Sequence, residues 1–596
     1  MQQTIYLVVV YAILCFRLAT GASTEKVCRC SPGQNCWPST ETWSKFNETL
    51  GGRLIQNTPL SLPCYLGKYK DEKICSTVRQ GFGSASFLAD QPIGYDYPLN
   101  TSCPPLAFGA VQDSSCALGN SPVYTVNVSK IEDIQATIDF VKKNNLRAVI
   151  KSTGYDLLQR STGAGSVSIW LRNLRNGFQF YDANPDLESC AEMGWNGSTL
   201  RISGSYAWSD LYPAAKEKGV IIVGGNDSGA SSIGGWTQGG GHSPVTRRFG
   251  LGADQVLSAR VVLASGQLVT ASPCQNKDLL YAIRGGGPGT YGVVTEMLVK
   301  TYPDDKPVNV AKVRIGSRGD NATVRFVDAM TEVYSSFPEL SKRGFAGYGS
   351  WAAYLPGGVG VEGFTNVYQQ NFTYFGSSEE ARQQFDLLQE SLSKLNNTEK
   401  NPAVSITWTS FPNYGAFFAA KNDSVQPVGS VSALGSRLIS SKALETDKEG
   451  LRKLLVVMAG LPGQPVSHRL VHHGLEHAEA AVRNTSSAVQ AGWYMSVLLD
   501  VFEREMVGFN VVDNLEPWSS VRGELATTMR ERWPGTGTYM NEADWGDALW
   551  KEEFYGENWE RLRKIKKDVD PDEVFYCSTC VGSEDWVVED GKLCRN

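Results

Sequence analysis

The sequence predicts an α+β protein built from two or three structural units, and three observations carry that reading. The chain has 596 residues, too many for one compact core. Between about residues 121 and 303, short strands alternate with helices that are apolar on one face. Three glycine-rich segments interrupt this stretch, each adjoining a predicted strand.

The elements follow in order. An apolar stretch, Thr4 to Phe16 (TIYLVVVYAILCF), is too short to span a bilayer. With small residues at Thr20 and Ala22, residues 1–22 read as a signal peptide cleaved before Ser23, against the alternative of an uncleaved anchor. The chain has 13 Cys. Cys15 leaves with the signal, and an even twelve remain, which predicts an oxidising compartment and several disulfides. N-x-S/T sequons, among them Asn47, Asn196, Asn226, Asn321 and Asn371, permit glycosylation. Residues 23–118 read as a Cys-rich, irregular lobe.

From residue 119 the pattern becomes regular. Val123–Val128 alternates as a strand, and Ser129 with Glu132 forms a capping-box signature. Ile131, Ile134, Ile138 and Val141 share a helical face, and a strand follows over Arg147–Lys151. A second unit runs through Leu200–Gly204, a helix near Ser209–Lys218 and Val220–Val223. A hairpin turns at Ala264-Ser265-Gly266, and the helix Lys277–Arg284 leads to the strand Gly292–Lys300. TYPDDKP (301–307) marks a boundary. Residues 304–530 read as a second α+β domain, in which Leu451, Leu454, Leu455 and Met458 form one apolar helix face. Residues 531–596 form a C-terminal segment with a helix over Trp559–Lys567.

Composition narrows the partners. The net charge of −6 comes from well-mixed residues, with 20% charged and no polybasic run. Nucleic acid and anionic membrane are therefore excluded as expected partners, and no second apolar run of membrane length occurs.

The glycine-rich segments carry the chemistry. They are KSTGYDLLQRSTGAG (151–165), GGNDSGASSIGGWTQGGGH (224–242) and RGGGPGTYGVV (284–294). Glycines let backbone N–H groups close on a ligand, and successive N–H groups cradle a diphosphate. Taken singly, each is equally a set of tight turns. The third contains a literal GxGxxG, Gly287 to Gly292, but it leaves a helix and enters a strand. That is the reverse of the dinucleotide-binding order, so a nicotinamide site is rejected.

As a set, CRCSPGQNCWPS (28–39), the 151–165 loop, WTQGGGHSPVTRRFGLGADQVL (236–257), RGGGPGTYGVVTE (284–296) and the stretch from YMNEAD to VGSEDW (539–586) make the chain resemble the berberine-bridge-enzyme-like branch of the vanillyl-alcohol-oxidase flavoproteins, in its secreted fungal form. The resemblance implies a two-part PCMH-type FAD-binding domain (119–303), a separate α+β substrate domain and a C-terminal segment that returns to the FAD domain. It implies Ser152, Thr153, Gly154, Ser161 and Thr162 at the pyrophosphate. Gly234, Gly235, Gly239, Gly240 and His242 then run past the flavin ring, with Val293 and Asn541 as further contacts. It also implies a small-molecule substrate, an oxidase reaction with O2 as acceptor, a role in fungal secondary metabolism, and a monomer in the secretory pathway, outside the cell or in the vacuole lumen.

The chain departs from the family at the flavin anchors. Many members attach FAD through a His and a Cys, and this sequence has Tyr155 and Asp227 at those positions. Gln159 stands where the family usually has Gly. Non-covalent FAD follows, with a different link or loss of the flavin as alternatives. The departure also keeps open a non-redox cyclase or isomerase that uses the pocket as a scaffold, and a secreted binding protein. Glu542 stands where some relatives have a catalytic Tyr. A carboxylate partly buried beside a flavin, its pKa raised, could act as base, and Tyr539 could share the pocket. The alternative for Glu542 is a structural acceptor of backbone hydrogen bonds. Four of the five His, at 468, 472, 473 and 477, read as solvated rather than as a metal site, and Cys577-Ser-Thr-Cys580 reads as a disulfide. No metal is expected.

Overall fold

Strand pairing in the computed structural model sorts the main strands into three sheets. The structure describes residues 27–94, 102–105, 116–356, 363–395, 402–421, 432–483, 486–505, 519–589 and 591–596. The apolar stretch 4–16, the cleavage position and the sequons at Asn100, Asn396, Asn422 and Asn484 lie outside them.

The first sheet has the order β1-β2-β4-β3, with β1 Leu54–Gln56, β2 Tyr124–Asn127, β3 Ala148–Lys151 and β4 Val167–Trp170. β2 and β3 both lie parallel to β4. Helix α2 (Ile131–Lys143) follows β2 and buries Ile134, Ile138 and Val141. Its cap differs from the expected Ser129–Glu132 pair. The carboxylate of Asp133 accepts from the Ser129 and Lys130 N–H groups, because Asp133 faces inward and is held by Arg53.

The N-terminal lobe is not irregular. Helix α1 (Thr40–Thr49), capped by Ser39, precedes β1. Trp43 of α1 stacks on Tyr124 with ring centroids 4.0 Å apart, and Phe46 stacks on Phe140 at 3.9 Å. The lobe therefore shares its core with β2 and α2.

The second sheet is antiparallel, in the order β5-β6-β10-β8-β9, and β7 also pairs with β10. Its strands are β5 Arg175–Tyr181, β6 Thr199–Gly204, β7 Val220–Ile222, β8 Val256–Val262, β9 Leu268–Ala271 and β10 Val293–Pro303. The hairpin between β8 and β9 turns at Gly266, whose φ of +81° suits glycine. β10 continues to Pro303 because β7 pairs with residues 301–303, so the expected boundary loses its first three residues to a strand.

The third sheet has seven antiparallel strands in the order β14-β11-β13-β12-β16-β17-β15. They are β11 Val308–Ser317, β12 Ala346–Ala352, β13 Asn366–Phe375, β14 Ala403–Phe411, β15 Ser432–Ile439, β16 Ser467–His472 and β17 Leu498–Glu505. Strand alternation separates two faces. Val313, Tyr368, Phe372 and Leu470 pack under the helices Ala322–Lys342 and Lys448–Met458. The opposite face meets the FAD-binding half at both ends, through Val471 and Val501 against Leu251 and Ala253, and through Val308 and Val310 against Ile221 and Val223. Between these ends it carries Lys312, Gln369, Tyr348 and Arg469, whose positions in register place them on that same polar face.

The histidines overturn their expected solvation. His468 and His472 lie on β16, and His468, His472 and His473 are all at most 1% exposed. His468 stacks on Trp351 at 4.0 Å and bonds to Asp500 at 2.9 Å and to the Met458 carbonyl at 2.9 Å. Burial drives His472 down to about 3.

The C-terminal segment crosses back. Helix Trp559–Val569 buries Lys566, whose ammonium donates to the Thr290 carbonyl (2.8 Å), the Phe575 carbonyl (2.7 Å) and Asp570 (2.6 Å). Six disulfides engage all twelve cysteines after Cys15, among them Cys577–Cys580 and Cys28–Cys594. Among the described residues no helix is long and apolar enough to cross a membrane.

Candidate active site

The three glycine-rich segments converge on one pocket. It encloses about 1140 Å³, open mouth included, and the C-terminal segment contributes to its wall.

The first segment leaves β3 at Lys151 and supplies Ser152, Thr153, Gly154, Tyr155 and Ser161 to the wall. Asp156 folds the loop back on itself, accepting from the Ser161 N–H (2.8 Å) and hydroxyl (3.0 Å). Gln159 sits at φ +55°, a left-handed conformation that explains glycine in relatives. Here the Gln159 side chain is held by Asn120 at 2.8 Å. Thr162 turns away and donates to the Asn120 carbonyl, beside a small adjoining cavity. Lys151 is buried beneath, donating to the Gln91 and Pro92 carbonyls. Burial, with Arg172 adding to it, brings its ammonium down to about 7.

The second segment supplies Asn226, Asp227, Ser231, Gly234, Gly235 and His242. A side chain at Gly234 would meet Ser231 at 2.9 Å and the Ser152 hydroxyl at 3.2 Å, so glycine lets the first two segments touch. Gly239 does not line the pocket. Its missing side chain makes room for the Asn541 amide, 2.4 Å from where a Cβ would stand. Gly240 is also off the wall; its φ of +118°, rather than crowding, calls for glycine there.

The third segment supplies Pro288, Gly289 and Gly292, and the Lys566 bond to Thr290 fixes its position. Val293 is 1% exposed in the core, and its neighbour Val294 lines the pocket, as alternation along β10 requires.

From the C-terminal segment come Tyr539, Asn541 and Glu542. A regular strand would turn Asn541 and Glu542 to opposite faces. A turn, in which the Glu542 N–H donates to the Tyr539 carbonyl at 3.0 Å, brings both in. Asn541 donates to the Gly235 carbonyl (3.0 Å) and the Tyr539 hydroxyl (2.8 Å) and accepts from Arg160 (3.2 Å). Arg160 was not expected at the site, although it lies inside the first segment. Burial of Glu542 acts to raise its pKa, but His242, at 3.2 Å, and Arg469 outweigh it and hold the carboxylate below its usual range. The expectation of a raised carboxylate is therefore corrected. Burial pushes the Tyr539 hydroxyl well up.

The wall suits a large polar ligand with a flat ring. Arg160 Nε and the Ser231 hydroxyl are buried without a hydrogen-bond partner among the described residues. Such orphaned groups at a glycine cradle fit the phosphates and hydroxyls of FAD. The two anchor positions, Tyr155 and Asp227, both line the pocket.

Comparison with known proteins agrees. Residues 122–272 match the FAD binding domain family, and residues 538–581 match the berberine and berberine-like family. The FAD-linked oxidoreductase apf9 of Gibberella fujikuroi is 48% identical, covering 95% of this chain and 96% of that protein. The FAD-linked oxidoreductase hmp9 of Hypomyces subiculosus is 36% identical, with 95% and 90% covered. Among solved structures, the VAO-type flavoprotein MtVAO713 from Myceliophthora thermophila C1 superposes with a TM-score of 0.91 at 37% identity, over 96% of this chain and all of that one. Fold and pocket together define a VAO-type flavoprotein with a PCMH-type FAD-binding domain. Within that class the chain belongs to the berberine-bridge-enzyme-like FAD-linked oxidoreductases. It is an FAD-dependent oxidoreductase acting on a small molecule.

Proposed function

We propose that the protein is an oxidase of a small hydroxylated molecule, an alcohol, a sugar or a secondary-metabolite intermediate, with O2 as final acceptor and hydrogen peroxide as product. The observation that carries this reading is the convergence of three glycine-rich segments and Asn541 on one pocket, whose Glu542 feels Arg469 of the polar sheet face. FAD, when bound there, supplies the capacity to accept a hydride. Ser152, Thr153, Gly154 and Ser161 would hold its phosphates, with Thr162 supporting the loop, and Gly234, Gly235, His242 and Asn541 would lie along the ring. The polar face, with Lys312, Gln369 and Arg469, would orient a hydroxylated substrate. Fungal relatives named FAD-linked oxidoreductases support the redox assignment, and fungal secondary metabolism is the setting we propose for it.

FAD is held without a covalent bond. All twelve cysteines after Cys15 are in disulfides, so no described thiol is free to attach flavin. Both nitrogens of His242, the pocket's histidine, are already hydrogen-bonded. The apolar N-terminal stretch, six disulfides and exposed sequons such as Asn196 and Asn321 support a glycoprotein of the secretory pathway, outside the cell or in the vacuole lumen, which we take to be a monomer.

Acid precipitation tests the attachment: FAD should appear in the supernatant, and flavin retained in the pellet would overturn it. Anaerobic incubation with a panel of primary alcohols, secondary alcohols and free sugars tests the reaction. At least one should bleach the flavin absorbance, and air should restore it with release of peroxide. A flavin that none of them bleaches would sink the oxidase reading and favour the scaffold role.

A further inference from the structure

Three segments distant in sequence meet at His242. Its Nδ1 lies 2.7 Å from the Tyr348 hydroxyl, and its Nε2 lies 3.2 Å from Glu542 Oε1. Tyr348 comes from β12 and Glu542 from the C-terminal turn. The imidazole is 7% exposed and packed against Tyr539 at 5.2 Å and Trp493 at 6.2 Å, so its ring is held in place.

The partners determine the protons. An ionised carboxylate only accepts, so Nε2 carries a hydrogen, and in the neutral imidazole Nδ1 then accepts from the Tyr348 hydroxyl. Glu542 is held ionised by His242 and Arg469, so it does not await a proton near neutral pH. Burial lifts the Tyr348 phenol well above 10, and the Glu542 charge adds to that. Tyr348 therefore takes up a proton only if it passes its own on at the same time.

Position supplies the rest. His242 and Glu542 line the flavin pocket, whereas Tyr348 stands on the polar face of the seven-stranded sheet, half-buried, and meets the pocket wall through its bond to His242. Its cross-strand neighbour pairs are Asn371 and Val471, and Arg469 follows two residues along.

We propose that Tyr348 is the group that takes the substrate's hydroxyl proton, handing its own proton to His242, while Glu542 holds the imidazolium so formed. This rests on the oxidase reading with an alcohol substrate. The carbinol loses its C–H hydrogen as hydride to the oxidised flavin and its O–H hydrogen as a proton to the Tyr348 oxygen, becoming a carbonyl. The Tyr348 hydrogen moves to Nδ1, leaving an imidazolium–carboxylate pair. Tyr348 is the catalytic residue; His242 and Glu542 are positioning residues. The logic is that of a serine–histidine–carboxylate triad with a phenol in place of the serine.

The first test needs neither flavin nor substrate. In flavin-free protein labelled with 15N-histidine, one of five imidazoles, assigned by His242→Gln, should be neutral with hydrogen on Nε2 and with Nδ1 as a hydrogen-bonded acceptor. Tyr348→Phe, which keeps the ring, should shift that Nδ1 alone towards the free-acceptor value. A His242 charged at neutral pH, or protonated on Nδ1, would overturn the relay. The second test follows anaerobic flavin bleaching with the alcohol panel. Tyr348→Phe should slow bleaching on the order of a hundredfold or more with FAD still bound. Glu542→Gln should slow it similarly, because a neutral amide no longer holds the imidazolium. A wild type that no alcohol bleaches sinks the alcohol assignment. A bleached wild type with an unimpaired Tyr348→Phe sinks the relay alone.

Discussion

Gly239→Ala isolates the contact that joins the second glycine segment to the C-terminal turn. The backbone there has φ −102°, which alanine adopts freely, so strain plays no part. A Cβ would stand 2.4 Å from Asn541 Oδ1 and 2.6 Å from its Nδ2, and the amide must move. It then gives up its bonds to the Gly235 carbonyl, the Tyr539 hydroxyl and Arg160. At about 1 kcal/mol net for each, the loss is about 3 kcal/mol. The stiffer unfolded chain returns about 0.5 kcal/mol. The single mutant should therefore be less stable by about 2–3 kcal/mol, seen as a fall of a few degrees in the thermal midpoint of flavin-free protein, followed by tryptophan fluorescence. Asn541→Ala should cost about 3 kcal/mol by the same bonds. In the double mutant the three atoms nearest the alanine Cβ, all of the Asn541 amide, are gone, so Gly239→Ala should add little further loss to Asn541→Ala. Independent, additive costs in that cycle would refute the reasoning.

Three further outcomes follow from the buried groups. The unfolded chain keeps the Lys151 proton to about 10.5 while the folded protein releases it near 7, so between these values the unfolded state binds more protons and stability rises with pH. Lys151→Met should remove that rise, measured as the wild-type-minus-mutant difference in thermal midpoint from pH 7 to 10; parallel curves would refute it. Lys566→Met leaves Asp570, at 0% exposure, without its cation and frees Thr290, so stability should fall by about 3 kcal/mol and FAD should dissociate more readily; an unchanged midpoint would show the pair is dispensable. Asn226 lies in the pocket wall against Lys421, where a glycan would fill the flavin space. Peptide mapping of FAD-loaded protein should find it bare while the exposed Asn196 and Asn321 are modified, and a glycan at Asn226 would mean the pocket is misplaced.

Much of the cofactor half was legible because its signals are local. Alternation gave β2, the apolar period of Ile134, Ile138 and Val141 gave α2, and the turn residues gave the hairpin at Gly266. The glycine segments were visible as composition. What escaped depends on contacts between distant segments. Tyr348 sits in AGYGS, flanked by two glycines, residues common in turns. The structure makes it a strand in which a Cβ at Gly347 would fall 1.9 Å from the Asn371 carbonyl, so the glycines mark close strand approach instead. The histidines at 468 and 472 look polar in sequence, yet Trp351 and Asp500 bury His468 from other strands. Glu542 lines the pocket, but the sign of its pKa shift depends on His242 and Arg469, 300 and 73 residues away in the chain.

The bond between Cys28 and Cys594 makes the order of synthesis matter. The other five pairs are separated by 3 to 84 residues, so the two partners of each are made close together in time. Cys28 is among the first thiols to emerge and its partner, 566 residues later, is the last. Until then Cys28 lacks its native partner, with Cys30 and Cys36 close by in the chain. Its correct closure requires that the first strand layer and the C-terminal hairpin have already docked, which makes this single bond a record that the whole chain has folded.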